Sequence, residues 1–147
     1  NLFQEQKGNW CIGSDSNVGL SAFEEIRLLD YTNRLQTNNR DTFKNSESAN
    51  SGKIAFQAIY NNGHKAMGNK KSDYFEIGGS LDFLDIDHNH PLILNSSEKN
   101  LLNTIIYSTD IGSIKSTYTK GIKRVNNIDK KENIIENYSN AIKNIKS

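Results

Sequence analysis

The sequence predicts an α+β domain, a mixed or antiparallel sheet flanked by helices, and three observations predict it. Amphipathic runs with capping-box spacings recur at residues 21–35, 95–106 and 129–145. Short apolar runs between them are closed by Asn-Gly, Gly-Gly and Lys-Gly turn signals. The two kinds of segment do not alternate regularly, which speaks against a βαβ parallel sheet. A length of 147 residues fits one domain spanning 1–147.

Residues 1–20 are rich in Asn and Gly, with Trp10 and Cys11 in a polar setting, and read as an irregular arm or edge strand. Ser21 opens the first helix, because Glu24 follows at the spacing at which each side chain reaches the other's free backbone N–H. Phe23, Ile26, Leu29 and Leu35 give that helix a face to pack on a sheet. The polar stretch 37–52 reads as a long loop. The run 53–60 reads as a strand, the Asn61-Asn62-Gly63 signal as its turn, and Ala66-Met67 as the return strand of a hairpin. Residues 73–77 form a further candidate strand stopped by Gly78-Gly79. Residues 81–86 are too short a run to separate helix from strand. Asn95 and Glu98 repeat the capping spacing ahead of a helix carrying Leu101, Leu102, Ile105 and Ile106. Residues 113–125 read as a hairpin turning at Lys120-Gly121. Asp129 and Glu132 then cap an amphipathic helix over 129–146, whose face holds Ile134, Ile135, Tyr138, Ala141, Ile142 and Ile145.

Composition narrows the function classes. With 18 basic and 17 acidic residues no polycationic surface points to nucleic acid. No apolar run is long enough to cross a membrane, so no membrane partner is expected. No signal peptide is visible, which suits a cytoplasmic protein or an effector exported without one. A start at Asn1 rather than Met suits an excised domain or a processed form. The lone cysteine, Cys11, excludes an internal disulfide.

Chemistry concentrates in Asp87-His88-Asn89-His90-Pro91. In an extended segment two histidines two residues apart project to the same side and would chelate one Zn²⁺, with Pro91 stiffening the exit. A catalytic zinc needs a third protein ligand, usually a carboxylate, and a water. Without that ligand the pair is an ordinary hydrogen-bonded loop.

His88-Asn89-His90-Pro91, followed after a short loop by Ser96-Ser97-Glu98-Lys99-Asn100-Leu101, resembles the metal-binding turn and helix of the JAMM/JAB (MPN-like) metallopeptidases of bacterial, phage and polymorphic-toxin type. The resemblance extends over residues 53–125. It implies a JAB/MPN-like fold, a zinc cofactor and hydrolysis of a peptide or isopeptide bond in a protein substrate. It assigns His88 and His90 to the metal and Ser97 to the oxyanion. Asn100 falls where the family has its third ligand, an aspartate, and an amide is a poor zinc ligand. Asp87, Glu98, Asp110 and His64 are the candidate replacements. The family's general base is an upstream glutamate, for which Glu47 is the nearest acid. Both departures would make this a degenerate member.

Two other classes compete. Asp87-His88…Pro91-Leu92 with Asn100-Leu101 resembles the core of an HNH-type nuclease, in which His88 would activate water and Asn100 would orient His88. A non-catalytic binding or structural module of a larger bacterial or phage protein is the third. Cys11 with His88 or His90 would make a thiol pair, but nothing in the sequence activates that thiol.

Overall fold

The computed structural model of the chain describes residues 6, 8–40, 42–45, 48–69, 75–124 and 128–146. Helix α1, Ala22–Thr37, begins where expected: the Ser21 hydroxyl accepts from the Glu24 N–H at 3.4 Å. It ends on Asn38 in the left-handed conformation (φ 54°), which an asparagine tolerates at a helix terminus.

The second element departs from expectation. Residues Ser51–Ala66 form a 16-residue helix, α2, rather than a hairpin. Ile54, Phe56 and Tyr60 imitate strand alternation, but burial runs through Ser51, Gly52 and Ala55 at helical spacing. The start signal is Asn50, whose Oδ1 accepts from the Lys53 N–H at 2.8 Å. Asn62 and Gly63 do not turn the chain, because α2 has tertiary partners that outweigh local preference. Asn62 donates to the Trp10 carbonyl at 2.9 Å. Gly52 lies so close to the following helix that a Cβ there would meet the Asn103 Cα at 3.0 Å.

Of the expected strand at 73–77, residues 73 and 74 lie outside the described residues, and 75–77 are turn and irregular backbone. Strand β1 is Phe83–Ile86, which settles the ambiguous 81–86 run. A short 3₁₀ turn, Glu98–Asn100, leads into helix α3, Leu101–Ser108. Asn95 and Glu98 make no capping box there. Strands β2, Ile114–Thr119, and β3, Ile122–Lys123, form the expected hairpin. Lys120 (φ 52°) and Gly121 (φ 71°) both turn left-handed, as a two-residue hairpin requires. The three described strands make an antiparallel sheet in the order β1-β2-β3. Phe83 opposes Tyr118 across it, rings stacked at 4.3 Å. The fold is thus α+β with an antiparallel sheet.

The core gathers Phe23 and Ile26 from α1, Ala55 from α2, Ile105 and Ile106 from α3, and Phe43 and Ile93 from loops. Arg27 donates to the Ile106 and Thr109 carbonyls at 2.9 and 2.7 Å. That satisfies acceptors left free at the end of α3 and suits the negative end of its dipole. Inside α1, Asp30 is fully buried, bonded to Arg34 at 2.5 Å and to the Thr42 hydroxyl. Helix α4, Ile128–Lys146, keeps Ile134, Ile135, Tyr138 and Ile145 exposed.

Candidate functional site

The His-x-His segment is a turn directly after the end of β1, not extended chain. β1 stops at Ile86, and the His90 N–H bonds the Asp87 carbonyl at 3.0 Å. Asp87 also accepts from the Asn89 N–H at 3.1 Å, an Asx turn that a strand would not permit. The alternation expected to align the two imidazoles is therefore missing. His90 Nδ1 accepts from the Leu92 N–H at 3.3 Å. The Ile93 and Leu94 N–H groups close on the His90 carbonyl at 2.8 and 3.0 Å, which lowers Ile93 into the core. The tetrapeptide thus acts structurally, folding the chain back so that an isoleucine plugs the space beside α3.

The expected companions do not gather around it. Ser97 is exposed, precedes the 3₁₀ turn and makes no side-chain cap. Asn100 lines a cleft facing α2, with Ser51, Asn103 and Thr104. Glu47 lies outside the described residues. Among the described residues no three His, Cys, Asp or Glu side chains come close enough to hold one ion. Of the alternative ligands, Asp110 accepts from the Gly112 N–H at 2.7 Å, and the His64 ring stands 4.5 Å from that of Tyr60. Cys11 is an exposed free thiol.

What the structure displays instead is an apolar groove of about 620 Å³ between the sheet and the helices. Phe23, Phe56, Tyr60, Phe83, Ile105 and Tyr118 are among its walls, and Asp82 is the one acid among its described lining residues. Asp82 accepts from the Lys120 N–H at 2.6 Å and the Ser80 hydroxyl at 2.8 Å, and these bonds hold its carboxyl below the ordinary range. Its role is to staple the start of β1 to the β2–β3 turn.

A second feature is Asp15. Of the four described non-glycine residues at positive φ, Asn38 ends a helix, Lys120 makes a hairpin, Phe75 (φ 59°) lies in a turn, and Asp15 (φ 41°) sits in a tight turn closed by Asn17 N–H on the Ser14 carbonyl at 2.7 Å. Aspartate tolerates that backbone, and the turn leaves its carboxylate exposed to solvent. A Gly-Ser-Asp-Ser-Asn turn signal stands in the arm, and nothing in its spacing marks it as chemical.

No family model matches the chain. One curated relative does. Formimidoylglutamate deiminase of Pseudomonas aeruginosa is 29% identical over 119 residues, which cover 81% of this chain and 26% of that protein. The chain spans about a quarter of the length of the relative it matches.

Proposed function

We propose that this chain is one segment of a larger deiminase-like hydrolase, and that it supplies part of a fold and the edge of a site rather than a whole site. The similarity to the deiminase carries this reading: it runs through most of the chain yet accounts for a small part of the relative. Surface area supports it. The chain exposes 11504 Å², roughly half as much again as the ~7,600 Å² expected of a compact protein of this mass. Val18, Leu20, Leu35 and Ile77 stand almost wholly in solvent, and the sheet–helix groove adds a further open apolar surface. Apolar patches of this kind mark surfaces that another part of a protein covers.

Deimination is hydrolysis at a C=NH carbon. Water adds, the tetrahedral intermediate collapses, and ammonia leaves as the carbon becomes a carbonyl. The water must lose a proton to a base, and the leaving nitrogen must gain one. Asp15 is the described carboxylate this reading assigns to that traffic, a solvent-facing acid in the turn of the N-terminal arm. The remaining groups would come from outside this chain.

The test uses the longest polypeptide or complex in which these residues occur. Ammonia release from N-formimidoyl-L-glutamate is expected, with Asp15→Asn lowering turnover by about 10² or more. Absence of turnover in the complete protein overturns the reading. Turnover that survives Asp15→Asn removes only the role given to Asp15.

A further inference from the structure

We infer that the cleft where α1, α2 and α3 meet binds a small oxyanion, or the carboxylate or phosphate group of a small molecule. The inference does not depend on the deiminase reading. The cleft has a volume of about 430 Å³ and is lined by Arg34, Ser51, Asn100, Asn103, Thr104 and Tyr107 among others. A neighbouring hollow of about 390 Å³ shares Asn100 and Asn103 with it and adds Lys53 and Lys99.

Buried polar groups left without partners single out this place. Among the described residues, the buried side-chain atoms with no hydrogen bond are Arg34 Nε, Ser51 Oγ and the Tyr107 hydroxyl. All three belong to residues lining the same cleft. Native folds rarely leave such groups unsatisfied, and an absent ligand is one recognised reason. Ser51 is only 6% exposed, so solvent does not serve it.

The chemistry of the lining selects the ligand. Arg34, Lys53 and Lys99 donate and cannot accept, and the Ser51 hydroxyl is free to donate. Asn103 turns its Oδ1 to the Gly52 N–H at 2.6 Å, which leaves its amide NH₂ for a ligand. Ser51 begins α2, whose positive dipole end therefore faces the cleft. No acidic residue lines either hollow among the described residues. Asp30 neutralises Arg34 through Nη2 from within α1, so the net attraction comes from Lys53 and Lys99 at the rim. A cationic rim and side-chain donors at a helix N-terminus, with no carboxylate in the described lining, suit an oxyanion.

The experiment is a ¹H–¹⁵N NMR titration of the protein in chloride buffer, with inorganic phosphate in one series and succinate in the other. Saturable shifts are expected at the Gly52 amide and the Asn103 side-chain amide in at least one series, which also tells which group the cleft prefers. Asn103→Asp keeps an acceptor for the Gly52 N–H and suits the helix N-terminus, yet it removes the donors and adds a negative charge. Its affinity is expected to fall at least about tenfold. Gln57→Glu makes the same charge change at an exposed position of α2 and is expected to weaken binding less than about twofold. Shifts that never saturate, or equal weakening in the two variants, overturn the inference.

Discussion

Replacing Asp30 with alanine should destabilise the protein by about 3 kcal/mol, and the structure shows how that figure arises. The carboxylate is fully buried and accepts from Arg34 and Thr42, both side-chain bonds to a charged acceptor. Bonds of that kind contribute about 1.5–3 kcal/mol each, so removal of both would cost roughly 3–6 kcal/mol. Arg34 is 34% exposed and recovers part of its loss by turning to water, which moves the expectation to the low end. Asp30→Asn keeps an acceptor for Thr42 and loses only the charge, at about 1–2 kcal/mol. Urea denaturation followed by Trp10 fluorescence is a suitable assay, because Trp10 stacks on Phe43, next to Thr42, at 5.3 Å. A double-mutant cycle with Arg34→Met should give a coupling above about 0.5 kcal/mol. An Asp30→Ala cost below about 1 kcal/mol, or no coupling to Arg34, would refute the view that this buried carboxylate stabilises the fold through Arg34 and through Thr42 in the loop after α1.

Three further outcomes are expected. The Asp82 carboxyl should titrate below its ordinary value of 3.8 in an NMR pH series, since it accepts from Lys120 and Ser80. Its folded pKa being depressed, its contribution is present above the unfolded value and is lost as pH falls through the folded one. The Tyr107 phenol is raised above its ordinary value of 10.0, by burial first and by Asp30 next. It stabilises the fold below the unfolded value and ceases to as pH rises through the folded one, so one of the six tyrosines should resist ionisation in a tyrosinate absorbance titration until the protein unfolds. Dialysis against a chelator should leave no stoichiometric zinc, given that no three His, Cys, Asp or Glu side chains converge among the described residues. Retained zinc that disappears in His88→Ala would favour the peptidase reading over the deiminase one.

Much of the architecture was written locally, and the failures have physical causes. Ser21 and Glu24 announced α1, and Lys120-Gly121 announced the β2–β3 turn, because caps and left-handed turns are decided by residues close in sequence. Helix α2 was not legible as a helix. Its Ile54, Phe56 and Tyr60 match strand alternation, and its decisive contacts, Gly52 on Asn103 and Asn62 on Trp10, join residues about fifty positions apart. The extended alignment expected of His88 and His90 was likewise not legible: the Asx turn at Asp87 and the burial of Ile93 set their backbone, and neither is visible in a four-residue motif.

The sequence by itself determined the α+β class, the α1 start, the β2–β3 hairpin and the amphipathic character of the C-terminal helix, since each follows from periodicity and capping within a few turns of chain. Only the tertiary structure decided that Asp30 is buried, that Asn100 lines a cleft against α2, and that Arg34, Ser51 and Tyr107 converge on that cleft. Those residues come from three helices, and their meeting depends on how apolar faces pack, a long-range balance that no local spacing encodes.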